Sequence, residues 1–341
     1  MKIAIDAMGG DNAPKVVIQG AKDALALYRG IERLFLVGDE KTIKDLCQSH
    51  GLSDQRVEIV HAPEIVEMDE SALKALRSKK KSSVAIATDL VKSGDADAVV
   101  SAGNTGAAVA AATLKLRLLK GVERAGIAST IPNEYGVCNI LDAGANPEAK
   151  ASHLFGYAIM GSVYAKHVLK VDGTPVVGVM SNGEEDEKGT AFTKETFALL
   201  KEFHDSGNAP FKFVGNVEGH DLFESRLDVC LCDGFTGNII LKSCEATAKA
   251  MSKWLKVEFK RNPLRMIGGL LSKGAFGAVK DRTNYESYGG SPLLGVNGVC
   301  IIAHGSSSAL AIQNAIRVAA ETVEYRVNPR IEECLAGLQN T

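Results

Sequence analysis

The chain has 341 residues, 45% of them hydrophobic and 23% charged, with 39 Lys and Arg against 41 Asp and Glu. Those figures describe a globular chain long enough to bury a sizeable core, and a formal net charge of −2 excludes the overall basic signature of a nucleic-acid binder. The seven cysteines include no CxxC pair, which argues against a disulfide framework or a structural zinc site.

The start, MKIAIDAMGG, holds one short apolar burst, too brief and wrongly flanked for a signal peptide. From there the predicted elements run strand 2–6, helix 14–28, strand 33–37, helix 40–49, strand 56–60, helix 82–93, strand 97–101 and helix 105–117. Strands 126–131 and 138–142, helix 149–168, strand 175–181, helix 190–206 and strands 211–215 and 227–232 follow. Helices 238–258 and 263–279, strand 299–303 and helix 306–325 complete the pattern. Short apolar runs alternating with amphipathic segments predict a largely parallel sheet covered by helices on both faces. No repeat or low-complexity linker marks a boundary, so 1–341 reads as one large α/β domain of one or two lobes. The longest uncharged run, 287–316, is broken by Pro292, Asn297 and His304 and cannot form a membrane-spanning helix. Cysteines within apolar runs such as LDVCLC read as small buried hydrophobes in a reducing compartment.

Seven strand ends share one chemistry of glycines and short polar side chains. They are Asp6–Asp11 (with Gly9 and Gly10), Ser101–Gly106 (with Asn104 and Thr105), Asp142–Asn146 (with Gly144), Ser181–Glu184, Gly215–Glu218 (with Asn216), Asp233–Asn238 (with Thr236 and Gly237) and His304–Ser308 (with Gly305 and Ser306). Parallel α/β sheets bind ligands outside the carboxyl ends of their strands. Glycines admit close backbone approach, and helix N-termini favour anions. These turns therefore read as an anion cradle. It is neither a Walker loop nor a dinucleotide fingerprint, because GxxxxGK[ST] is absent and no GxGxxG follows a strand.

The ordered set IAIDAMGGDNAP, SAGNTGA (101–107), YAIMGSVYA (157–165), GNVEG (215–219), DGFTGN (233–238), YGG (288–290) and AHGSS (303–307) resembles the bacterial phosphate acyltransferase family, PlsX, from residue 1 to about 325. The resemblance implies a three-layer α/β/α sandwich like that of phosphotransacetylase and isopropylmalate dehydrogenase, and a homodimer. It implies transfer of a long acyl chain from acyl carrier protein to inorganic phosphate, with no metal or organic cofactor. It further implies that the acyl phosphate passes to a membrane glycerol-3-phosphate acyltransferase, and hence a cytoplasmic enzyme held peripherally at the inner face of the cell membrane. Two positions depart from the family pattern: Glu187 stands where a second lysine is common, and Ser308 where an aspartate is common.

Attack by a phosphate oxygen on a thioester requires no protein nucleophile; it requires a held anion and a donor for the developing oxyanion. Lys188, in the acidic turn EEDEKGT, reads either as a phosphate ligand or as a solvated loop lysine. Asn238 reads as an amide donor, as an N-cap, or as both. His304 reads as a general base, a phosphate donor or a structural group. Asp6, Asp11, Asp142 and Asp233 read as groups that orient their neighbours. Residues 253–282 carry eight basic residues beside an apolar stripe containing Leu264, Ile267 and Leu271, with Arg265 and Lys273 among the cations. Such a segment reads as a projecting basic amphipathic element for anionic lipid, acidic acyl carrier protein or a dimer mate, or as a plain surface helix. A short-chain phosphotransacetylase using a coenzyme A thioester is the second enzymatic reading, and an oxidoreductase of related fold a third. A lipid-surface scaffold without activity is the alternative of a different class.

Overall fold

The computed structural model describes residues 1–283 and 285–339. Its strands are β1 (Lys2–Asp6), β2 (Arg33–Gly38), β3 (Val57–His61), β4 (Ala98–Ser101), β5 (Gly126–Asn133), β6 (Gly136–Leu141), β7 (Val176–Met180), β8 (Lys212–Val217), β9 (Val229–Leu231), β10 (Ser291–Leu294) and β11 (Val299–Ile302). They form one eleven-stranded sheet in the order β3-β2-β1-β4-β11-β10-β5-β6-β9-β7-β8.

The expected parallel sheet is present as two blocks. β3, β2, β1, β4 and β11 run parallel to one another, as do β6, β9, β7 and β8. Between them β10 is antiparallel to both β11 and β5, and β5 is antiparallel to β6. The two blocks therefore point in opposite senses, which the strand count alone does not reveal. Sheet twist of roughly 20–25° per neighbouring pair accumulates over the steps from β4 to β9 and swings the two sets of carboxyl ends toward each other.

Helices α1 (Lys15–Leu27), α2 (Glu40–His50), α3 (Ala72–Ser78), α4 (Ser83–Ser93), α5 (Thr105–Leu116), α6 (Ala151–His167), α7 (Ala191–Asp205) and α8 (Asp221–Glu224) precede β9. After β9 come α9 (Gly234–Phe259), α10 (Pro263–Leu271), α11 (Lys273–Thr283), α12 (Ala309–Glu324) and α13 (Val327–Gln339). One face of the sheet is covered by α1 and α12 over the first block and by α6, α7 and α13 over the second, giving two apolar cores. On the opposite face a single core runs from the alanines of α5 (Ala107, Ala108, Ala111) across to Cys230, Ile240 and Leu241. The result is three layers, helix–sheet–helix.

Short elements escaped the periodicity: β10, whose SPLL lies among glycines, and α3, α8 and α13. The predicted helix 263–279 is two helices meeting at Ser272. Gly268, Gly269, Ser272 and Gly274 make that stretch a poor continuous helix. Residues 253–282 span the end of α9 with α10 and α11, and α10 has no buried residue. Phe259 and Phe276 meet edge to face at 5.0 Å and hold the helices together, with Gly269 close enough that a Cβ there would meet the Phe259 ring at 2.9 Å. Leu264 and Leu271 remain 80% and 82% exposed. No helix among the described residues is long and apolar enough to cross a membrane.

Candidate active site

The turns after β1, β4 and β11 build one side of the site. Asp6 is buried, and its carboxylate accepts the Ser101 hydroxyl at 2.7 Å; Ser101 Oγ in turn accepts the Gly103 amide at 3.2 Å. Burial pushes the Asp6 carboxyl up, opposed by hydrogen bonds from Ser83, Ser101, Met8 and Gly9. Gly10, at φ 113°, sits where a Cβ would lie 3.0 Å from the Ala102 carbonyl and 3.1 Å from that of Gly305. The Asp11 amide donates to Gly305 O at 2.8 Å. The β1 turn is thus a wedge that fixes the 101–106 and 303–307 turns.

Asn104 caps α5: its Oδ1 accepts the Ala107 amide at 3.0 Å. Its Nδ2 donates to the carbonyls of Met68 and Glu70 at 3.1 and 3.0 Å, so the side chain is fully engaged. The cap leaves the Thr105 and Gly106 amides without an intrahelical acceptor, at the positive end of the helix. In the β11 turn, His304 Nδ1 accepts the Ser306 amide at 3.2 Å and lies 2.9 Å from Ser306 Oγ. In the neutral ring this puts the proton on Nε2, so His304 presents a donor. Ser308 caps α12 through the Ala311 amide and donates to Glu286 at 2.9 Å.

The turns after β6 and β9 build the other side. Asp142 is fully buried and its carboxylate accepts the amides of Ile127 (2.9 Å), Gly144 (3.0 Å), Ala145 (2.9 Å) and Asn146 (2.6 Å). Burial raises this carboxyl too, opposed by those four bonds. Asn146 donates to Ala125 O and to the Tyr157 hydroxyl, and its carbonyl accepts Gly234 N at 2.8 Å. Asp233 caps α9, accepting the Thr236 amide at 2.9 Å and hydroxyl at 2.7 Å. The helix begins at Gly234 and not at Asn238, so the N-cap role considered for Asn238 belongs to Asp233. Gly144 faces Asn238, with 3.8 Å from a hypothetical Cβ to the asparagine side chain.

The two sides meet in a cavity of about 1130 Å³. Thr105, Ala143, Asn238, Ala303, His304 and Ser307 contribute from four strand ends, and Ile127, Ile131, Pro132, Leu241 and Ile302 from the apolar walls. Of the candidate catalytic and phosphate-binding residues, Thr105, Asn238 and His304 line this space, as do Tyr288, Gly289 and Gly290 of the YGG stretch. Asp6, Gly9, Gly10, Asn104, Gly144, Asn146, Asp233, Thr236, Gly237, Gly305 and Ser306 shape the turns around it. Ser307, whose amide donates to His304 O at 2.9 Å, belongs to the AHGSS stretch but was assigned no role of its own, and Lys242 and Lys249 of α9 are lining residues that no motif singled out.

Lys188 and Asn216 stand apart. The Asn216 amide donates to Glu185 O at 2.8 Å, and the exposed Lys188 side chain folds over Gly183. Neither lines the cavity, although β7 and β9 are sheet neighbours. At the same strand ends, ligand atoms of Glu184, Glu218 and His220 lie within 4.8 Å of one another. All seven cysteines are unpaired, and burial pushes the Cys300 thiol up to about 12. The thiols of Cys138, Cys230 and Cys232 are raised as well, which makes none of them a ready nucleophile.

A family model for the fatty acid synthesis protein matches residues 1–330. The phosphate acyltransferase of Akkermansia muciniphila is 64% identical over 338 residues, covering 99% of this chain and 97% of its own length. That of Pelotomaculum thermopropionicum is 47% identical over 342 residues, covering 99% and 96%. Among solved structures, a phosphotransacetylase from Streptococcus pyogenes aligns with TM-score 0.61 at 16% identity over 95% of this chain and 94% of its own. A branched-chain phosphotransacylase from Enterococcus faecalis aligns with TM-score 0.57 at 13% identity over 95% and 99%. These structural neighbours share the fold.

Proposed function

Because the chain belongs to the fatty acid synthesis protein family and is an acyltransferase like its phosphate acyltransferase relatives, we propose that it transfers a long-chain fatty acyl group from acyl carrier protein to inorganic phosphate. The observation that carries the proposal is one cavity with amide and imidazole donors at a junction of strand ends and apolar side chains along its walls. An acyl chain needs the apolar walls, and a phosphate needs the donors.

In the proposed reaction, hydrogen phosphate sits against the Thr105 and Gly106 amides at the start of α5 and near His304 Nε2–H. A phosphate oxygen attacks the thioester carbonyl carbon. The Asn238 amide donates to the oxyanion that forms, and the intermediate collapses with cleavage of the C–S bond. The departing thiolate takes up the proton that phosphate gives up, so acyl phosphate and free thiol leave the site. The acyl phosphate is then substrate for a membrane glycerol-3-phosphate acyltransferase in phospholipid synthesis. We assign 1–341 as one acyltransferase domain working as a homodimer.

Trapping with hydroxylamine tests the function directly. Acyl hydroxamate is expected from palmitoyl-acyl carrier protein plus phosphate. Product from acetyl-coenzyme A alone would establish the phosphotransacetylase alternative, and no product from either would leave only a scaffold.

Lys188 is proposed to supply positive charge to the phosphate from the adjoining β7 end. Lys188→Met is expected to raise the KM for phosphate at least about tenfold with an unchanged melting temperature, consistent with an exposed side chain. An unaltered phosphate KM removes Lys188 from the site.

The exposed leucines of α10, flanked by Arg265 and Lys273, support peripheral binding to anionic membrane at the inner face of the cell membrane. Replacing both Leu264 and Ile267 with Glu is expected to abolish co-sedimentation with anionic vesicles while the fold is kept, since neither side chain is buried. Undiminished sedimentation would rule out membrane contact through α10.

A further inference from the structure

Six residues of α9 and its C-cap Lys260 recur at spacings of four, three, four, four, three and four: Asn238, Lys242, Glu245, Lys249, Lys253, Lys256 and Lys260. That series keeps them on one face of a helix with 3.6 residues per turn. All seven line the cavity, and Lys280 of α11 lines it too. Glu258 is engaged by Arg261 and Arg265 off this stripe. Among the described residues Lys253, Lys256 and Lys260 are exposed and have no acidic partner. The helix therefore presents a cationic rail that starts at the proposed oxyanion donor and leads away from it.

We propose that this stripe is the docking face for an acidic helix of the protein that delivers the acyl group, an inference resting on the carrier-borne donor argued above. Length selects that occupant. At ~1.5 Å per residue the five lysines extend over ~27 Å, more than a single nucleotide can contact at once. An acidic helix laid along the rail matches the span and the charge, and long-range attraction speeds its encounter. A helix lying along the rail begins at Lys242, ~6 Å along the axis from Asn238, and is anchored at Lys253 to Lys260, ~22–33 Å away, so the body of the partner is held off the reacting carbonyl. The acyl group must arrive on an extended arm, with Met251, Val257 and Leu241 among the apolar residues lining its route. A bilayer does not fit the stripe, because a flat surface cannot enter the cavity that the lysines border. The bare leucines of α10 offer lipid a separate apolar contact.

The triple variant Lys253→Glu, Lys256→Glu, Lys260→Glu tests this with two donors, palmitoyl-acyl carrier protein and palmitoyl-pantetheine, each with phosphate. The expected result is a kcat/KM for the carrier-borne donor that falls on the order of 30-fold further than that for the pantetheine thioester. The matching triple Arg variant should retain both values, because charge and not the ammonium group is being read. Equal losses with both donors, or no loss with either, overturn the docking face and leave the acyl-phosphate reaction standing. If the unaltered enzyme makes no acyl phosphate from the carrier-borne donor but does from acetyl-coenzyme A, the donor assignment itself fails and the docking face with it.

Discussion

Asn238→Ala is expected to lower kcat by about 10²–10³-fold, the usual effect of deleting one oxyanion donor, while changing stability by less than about 0.5 kcal/mol. The small structural cost follows from its position. Asp233 holds the N-cap of α9, and Asn238 is the fifth residue of the helix. Among the described residues its amide has no hydrogen-bond partner, so truncation orphans nothing. Asn238→Asp provides the contrast. It has the same size but turns a donor into an anion facing the proposed phosphate and oxyanion positions, so it should be at least as inactive as the alanine variant. Wild-type kcat in Asn238→Ala would remove this residue from the chemistry. A fall in melting temperature parallel to the loss of activity would point to a packing role instead.

The position of the site was legible because strand ends in α/β proteins carry their function in small polar turns, and these turns are written locally in the sequence. Thr105 and His304, singled out that way, both line the cavity. What the local signal could not separate is a residue that touches ligand from one that holds its neighbour. Asn104 has the composition of an anion ligand, but its amide is spent on the Ala107 cap and the 68–70 carbonyls. Asp142 and Asp233, read as orienting groups, collect amides in the way that reading requires.

The relation between the two blocks of the sheet was illegible for a different reason. Reversal of the second block depends on β10, four residues of weak strand character, and on its antiparallel pairing with β5 and β11. Long-range pairing of that kind leaves no periodic trace. The same reversal decides which turns share a cavity, and so why Lys188, two strands from β6, lies outside the space that Asn238 enters. The lysine rail was only half visible, because the basic segment was noticed from residue 253 onward while its phase with Asn238 spans the whole of α9.

Gly237→Ala should separate helix propensity from packing, and packing should win. Gly237 lies inside the first turns of α9, where alanine is favoured over glycine by up to about 1 kcal/mol. A Cβ at this position would stand 2.0 Å from the Asp142 carbonyl oxygen and 2.9 Å from Cys232 Sγ. The carbonyl cannot retreat. The Asp142 amide donates to Cys232 O at 2.9 Å, Cys232 N donates to Leu141 O at 3.0 Å, and four amides converge on the Asp142 carboxylate. Overpacking against fixed backbone costs about 1–3 kcal/mol or more, so a net destabilisation of roughly 2 kcal/mol is expected in denaturant titration. Activity should fall further than stability, because the helix can relieve the clash only by carrying Asn238 away from Gly144 and the cavity. Gly268→Ala is the control of opposite sign. It too lies within a helix, α10, but its Cβ would meet nothing within 4 Å, so it should stabilise by about 0.5–1 kcal/mol. If both substitutions stabilised the protein, the close seating of α9 on the 142–146 turn would be wrong, and with it the proposed role of Asn238 at the reacting carbonyl.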